Sequence, residues 1–301
     1  MGEMALDQPL RTIHRLEGET VEVEVLPTIG ARLHRLRVFG HDLMRTPDDI
    51  STHLDDPFYW GGYHMLPWTN RIAARPTLVG SGTVDLAANF KDGTAIHGLH
   101  YATPWDIDEV GSYSVSGGGN ESGWPWPYTG RVEIRVEGSS VRVRHAVTNL
   151  SDEPMPAGVG IHPWFRTPVE VRVPARVAIA SNTDAQAPHE PLSADLDFRV
   201  PRELPTGLDA AWTDVDQPCV ELRWPHLDIS AELRASAPTV YVVAARPDNV
   251  DAVAVEPQTH APWGLRRLLD DERGGLDWLP PNTTLTLDSE LTFRRAAKEP
   301  T

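Results

Sequence analysis

The feature that most constrains this chain is a hydrophobic period of two, repeated in long runs over most of its length. VEVEV (Val21–Val25), RVEIRVE (Arg131–Glu137) and SVRVRHAV (Ser140–Val147) alternate apolar with charged or polar residues. HLDISAEL (His226–Leu233), TVYVV (Thr239–Val243) and TLTLDSELTF (Thr284–Phe293) follow the same rhythm. Successive side chains on a strand point to opposite faces, so the pattern predicts half-buried strands. Turn clusters SGGGNESG, NLSDEP, RPDNVD and LPPNTT separate them. No helical stripe is sustained, although TPDDISTHLDD has room for a turn or two of helix.

An all-β, antiparallel architecture follows, with two sheets packed face to face. The 27 prolines and 23 glycines are spread evenly rather than gathered into a linker. With no composition break and no fixed repeat, one domain spanning residues 1–301 is expected. The glycine-rich piece Ser116–Gly123 is short enough for a hairpin loop.

The charge narrows the partners. Against 27 basic residues stand 43 acidic ones, a formal net charge of −16 with no basic block. Nucleic acid and anionic membranes need clustered Lys and Arg, so both are excluded as partners, while neutral polar small molecules suit the chain. One cysteine, Cys219, permits neither an internal disulfide nor a thiolate metal cluster. The N-terminus lacks the apolar core of a signal peptide, and no run approaches eighteen apolar residues. A cytoplasmic protein, monomeric or homodimeric, is expected.

Four stretches interrupt the strand rhythm and set polar groups among aromatic or glycine residues. In GGYHMLPWTNRIAARP (Gly61–Pro76), Asn70 and Arg71 follow an aromatic, proline-containing run; a structural Arg paired with a carboxylate is the plainer reading. In TAIHGLHYATPW (Thr94–Trp105), His97 precedes a glycine that lets another backbone or a ligand approach closely. In GVGIHPWFRTP (Gly158–Pro168), Pro163 biases His162 toward extended backbone, which also suits a core histidine bonded to a carbonyl. In DAVAVEPQTHAPWG (Asp251–Gly264), Glu256 ends an apolar run, where desolvation raises a carboxylate toward general-base strength.

Two chemistries fit these groups. One is a metal site of His97, His100, His162, Glu256 and His260, but on a strand His97 and His100 would face opposite sides. The other is acid–base work on a sugar hydroxyl and ring oxygen. The second also employs Asn70, Arg71 and the ten tryptophans, whose indole faces pack against sugar C–H groups.

NRI after an aromatic-proline run, then HG…PW, GIHPWF and EPQT in that order, resemble the aldose 1-epimerases (galactose mutarotase-like proteins), over about residues 11–293. The resemblance implies a β-supersandwich, no cofactor, no metal, and interconversion of the α and β anomers of a free sugar. By motif, Glu256 would be the general base on the anomeric hydroxyl and His162 the general acid on the ring oxygen. His97 would hydrogen-bond the same region, and Asn70, Arg71 and Trp164 would meet the sugar. PTGLDAAWTD resembles the segment that carries a substrate-binding aspartate, pointing to Asp209. The chain departs from the family at Trp164, often tyrosine, and at Thr69, often a second proline. It departs again after EPQT, where HAPWGL replaces an Asp-Ala pair. A hexose-6-phosphate epimerase of the same frame would draw its cations from Arg71, Arg75 and Arg166. A sugar-binding protein without turnover would keep the same pocket.

Overall fold

The computed structural model describes residues 12–295. Among them two large antiparallel sheets dominate, one of eleven strands and one of nine. Their alternation is the one in the sequence. In the strand Trp124–Glu137, Trp124, Trp126, Tyr128, Val132 and Ile134 are buried, while Arg131, Glu133 and Arg135 face outward. Each large apolar side chain buried this way contributes about 1.5–3 kcal/mol. A one-residue slip would turn all of them to water, so the register is strongly fixed. The neighbouring strands Ser140–Asn149 and Thr284–Arg295 continue the nine-stranded sheet. The largest buried cluster draws on both sheets, from Val21 to Phe293.

Three expected boundaries move. HLDISAEL begins with a 3-10 turn at Pro225–Leu227, and the strand runs Ile229–Ser236. TVYVV yields a strand at Tyr241–Ala245. The glycine-rich segment is half strand: Ser112–Gly119 runs into it, and the turn occupies 120–123. The short helix Thr52–Asp55 lies within TPDDISTHLDD, and a second helix, Gly264–Leu269, carries too few residues to show a stripe. No helix of the described residues is long and apolar enough to cross a membrane.

The middle of the eleven-stranded sheet breaks the half-buried rule. There Gly62–Met65, Gly160–Arg166, Ala252–Gln258, Tyr241–Ala245 and Asp209–Thr213 lie side by side in that order. Gly62–Met65 and Ala252–Gln258 are buried at every position, and Gly160–Arg166 at all but Arg166. Their two faces have different neighbours. Ile161, Phe165, Val253 and Val255 join the core between the sheets. Tyr63, Trp164, Ala252 and Ala254 belong to a separate cluster on the opposite face. That second face carries the polar groups.

Candidate active site

Register places those groups. His162 pairs with Tyr63 on one side. On the other, the pairs Gly160–Gln258 and Trp164–Ala254 bracket His162 opposite Glu256. Glu256 in turn pairs with Val243. One row across the sheet therefore reads Tyr63, His162, Glu256, Val243. The next row reads Trp164, Ala254, Ala245, Asp209, with small alanines in the middle. Above this floor is a cavity of about 500 Å³. Asn70, Arg71, His97, His162, Trp164, Asp209 and Glu256, the seven residues named from sequence, all line it.

His162 Nε2 and Glu256 Oε1 stand 3.1 Å apart, and both side chains are almost wholly buried. Burial pushes Glu256 well above the usual carboxylate range; Asp209 adds to this and Arg71 opposes it. Burial lowers His162 to about 3. Both shifts disfavour charge, so the resting pair is a protonated carboxyl beside a neutral imidazole. Glu256 Oε2 and His162 Nδ1 are buried without partners. Most buried polar side-chain atoms are hydrogen-bonded, so these two leave binding capacity free at the cavity floor.

Asn70, Arg71 and His97 arrive together on a small ribbon in which Arg71–Ala73 pairs with Thr94–Ile96. Asn70 and His97 both take left-handed backbone, φ 53° and 62°. Asparagine and histidine enter this region more readily than most residues, but for any non-glycine residue it costs of order 1–3 kcal/mol. Bonds hold it: the His97 N–H donates to the Asn70 carbonyl at 3.0 Å, and the Asn70 N–H donates to His97 Nδ1 at 3.2 Å. Burial and the neighbouring His162 hold His97 far below its ordinary pKa. A neutral imidazole whose Nδ1 accepts carries its proton on Nε2, so His97 is a donor there. Gly98 beside it admits a backbone rather than a ligand: a Cβ there would lie 1.9 Å from the Leu66 carbonyl oxygen.

Arg71 satisfies both readings of the sequence. Its Nε donates to Asp92 at 2.7 Å, its Nη1 lies 4.0 Å from Asp209, and its side chain still lines the cavity. Asn182 donates to the other Asp209 oxygen at 2.6 Å. Burial raises Asp209 while Arg71 and Asn182 pull it down. The aromatic wall is Phe58, Tyr59, Tyr63, Phe90 and Trp164. Trp164 donates its indole N–H to the Phe58 carbonyl at 2.7 Å, fixing that loop to the floor.

A family model described as aldose 1-epimerase matches residues 13–263. The chain belongs to that family. No curated protein matches it, and its likeness to solved structures is one of fold. A galactose mutarotase-like protein from Clostridium acetobutylicum is 18% identical with TM-score 0.78, covering 94% of this chain and 95% of the other. An aldose epimerase homologue from C. elegans is 16% identical with TM-score 0.78, covering 95% and 99%. The galactose 1-epimerase of Lactobacillus acidophilus NCFM is 15% identical with TM-score 0.74, covering 94% of each chain.

Two of the chain's departures from the aldose 1-epimerase pattern meet in space. The Thr69 N–H donates to His260 Nε2 at 3.0 Å. Proline at position 69 would have no such donor, so this bond depends on a non-proline residue there. His260 Nδ1 then donates to the Ala261 carbonyl at 2.7 Å. The bond anchors the residue just before Asn70.

The five-residue metal set does not assemble. His100 turns away to Tyr128 Oη at 2.9 Å, through a turn rather than a strand, and both ring nitrogens of His260 are engaged. His97, His162 and Glu256 do bring ligand atoms within 4.8 Å of one another. His97 carries its proton on the free nitrogen, however, where a metal needs a lone pair. The tryptophans also differ from expectation. Only Trp164 among the ten lines the cavity; Trp68, Trp124, Trp212 and Trp224 fill the core between the sheets, where flat bulky rings pack best. Tyr63, Asn182 and Asp92 escaped the sequence reading. Tyr63 becomes visible once its strand is paired with His162, whereas Asn182 and Asp92 sit in polar loops with no distinguishing signal.

Proposed function

We propose that this chain, acting as one β domain, is an aldose 1-epimerase that interconverts the anomers of a free aldose. The observation that carries the reading is the buried Glu256–His162 contact of 3.1 Å on the cavity floor. The two oxygens that exchange protons in mutarotation, O1 and O5, hang on the same carbon. An acid and a base this close together can address both at once.

In the ring-opening step the Glu256 carboxylate takes the O1 proton while the His162 imidazolium gives its Nε2 proton to O5. The C1–O5 bond breaks, C1=O1 forms, and the site is left with a protonated Glu256 and a neutral His162. Rotation about C1–C2 presents the other face of the aldehyde. Closure returns the O5 proton to His162 and the Glu256 proton to O1. Atoms balance and no proton leaves the cavity. The state after ring opening is the one that burial favours, and the initial charged state differs from it by one proton moved across the Glu256–His162 contact. His97 Nε2–H donates to the anomeric region. Arg71, Asn70 and Asp209 bind hydroxyls, and Trp164 offers a face to the sugar's C–H groups.

The positions of Arg71, Arg75 and Arg166 speak against a phosphate, and Lys91 is the remaining cation of the cavity lining. Arg75 borders a different depression, and Arg166 is bound to the Met44 carbonyl at 3.0 Å. Arg71 already faces Asp92 and Asp209. The test is polarimetry of freshly dissolved α-D-glucose, α-D-galactose, other aldoses and their 6-phosphates. Relaxation faster than buffer for a free aldose supports the reading, and no acceleration for any sugar overturns it.

A further inference from the structure

The row that holds the acid–base pair extends one strand further, beyond Tyr63. Leu33 pairs with Gly62, which brings Arg32 opposite Tyr63, on the same face as Tyr63, His162 and Glu256. The guanidinium carbon of Arg32 lies 5.0 Å from the centre of the Tyr63 ring. The His162 ring stacks on Tyr63 at 4.6 Å and 22°. Four neighbouring strands thus contribute, in order, a cation, an aromatic ring, an imidazole and a carboxyl.

Arg32 is an unusual residue to find here. It is fully buried, yet none of the salt bridges among the described residues involves it. It donates instead to the carbonyls of Pro57 at 2.8 Å, Tyr101 at 3.0 Å and Trp60 at 3.3 Å, and to His53 Nδ1 at 3.0 Å. A buried cation with no carboxylate in contact costs several kcal/mol, and Asp56 acts on this one only from a distance. Binding the loop that carries Phe58 and Tyr59 needs donors, but it does not need a charge.

We propose that Arg32 is a positioning residue of this site, whose fixed positive charge behind Tyr63 keeps the His162 imidazole neutral at rest and makes its protonated form a ready proton donor. The inference rests on the acid–base reading of the cavity. His162 is faced by Tyr63 on its stacked side, by His97 edge-on at 5.1 Å, by Trp164 at 5.0 Å and by Glu256 at Nε2. Arg71 and Asp209 act from across the cavity, chiefly on Glu256. Arg32 is the cation that acts on His162 itself, opposing its protonation after burial has done so. Because the positive charge is nearer to His162 than to Glu256, it favours the proton on the carboxyl.

The experiment is an NMR titration of the His162 ring in isotopically labelled wild type, Arg32→Gln and Arg32→Lys, with the pH profile of mutarotation measured in parallel. A charge roughly 10 Å away at an effective dielectric of about 20 moves a titration by about one pH unit. Arg32→Gln is expected to raise the His162 midpoint by that amount and to move the acid side of the rate profile the same way. Arg32→Lys is expected to stay nearer to wild type. A folded Arg32→Gln protein with an unmoved His162 overturns the proposal. So does a wild-type His162 that titrates near its ordinary value, whichever variants fold. The titration needs no turnover, so an Arg32-dependent shift in a protein that epimerises nothing would support this inference while the functional reading fell.

Discussion

Glu256 and His162, 3.1 Å apart on adjacent strands, share a proton in a place where neither is stable as an isolated ion. Their roles are interdependent, since the form that leaves one uncharged leaves the other uncharged too. Coupled groups of this kind titrate as a pair.

Glu256→Gln and His162→Gln are each expected to slow mutarotation by about 10²–10⁴-fold, the usual contribution of one positioned acid or base. The double variant should be little slower than the worse single one, because the pair works as a unit. Polarimetric rates at saturating sugar check this. A Glu256→Gln protein with wild-type rate would remove the carboxylate from the mechanism.

Asp209→Asn should act on binding. Asn182 already donates to one Asp209 oxygen, and an amide would present that donor with the wrong partner in one of its two orientations. We expect KM to rise about tenfold or more, the effect of one lost charge-assisted hydrogen bond, with kcat changed far less. Equal KM values for the two proteins would place Asp209 outside sugar recognition.

The Thr69–His260 bond can be weighed by a double-mutant cycle in urea. His260→Ala leaves the Thr69 N–H buried without an acceptor, a loss of about 1–3 kcal/mol. Thr69→Pro removes the donor, so the second substitution should cost less once the first is made. Coupling of about 1 kcal/mol or more is expected; additivity within about 0.5 kcal/mol would show that the contact carries no energy.

Acid should unfold the protein through its buried histidines. Burial lowers His64, His100 and His260 each to about 4 from an ordinary 6.5. Between those values the unfolded chain binds protons that the folded chain does not. Stability is therefore fully present above about pH 6.5 and falls as the pH drops toward 4, by about 1.4 kcal/mol per pH unit for each such histidine once its unfolded form is protonated. Urea midpoints at pH 7.5 and pH 5 would test this, and equal values would contradict it.

The half-buried strands were legible because one face meets water and the alternation is printed in the sequence. Arg131–Glu137 needed no more than that. The central strands were legible only as apolar runs. In Ala252–Gln258 both faces are buried, so nothing in the sequence alone says that Val253 and Val255 pack inward while Glu256 faces a cavity. The motif resemblance supplied what periodicity could not, and the seven residues it named do converge. Tyr63 and Arg32 stayed hidden because their significance depends on strand pairing, and most of the tryptophans misled because a core wants flat rings as much as a sugar does. The two aromatics after His162 divide by the same rule: Trp164 walls the cavity, while Phe165 packs behind it against Trp224, 5.9 Å between ring centres.

That division means the central strands carry two interleaved messages, read on alternate residues. In Gly160–Arg166 and Ala252–Gln258 the even positions His162, Trp164 and Glu256 speak to whatever enters the cavity and the odd ones Ile161, Phe165 and Val253 to the opposing sheet, while in Gly62–Met65 and Tyr241–Ala245 the parity is reversed, with Tyr63 and Val243 on the cavity side. Selection can therefore edit the choice of sugar one cavity-facing position at a time without renegotiating the core, and a mutational scan of these strands should return tolerance for folding with a period of two.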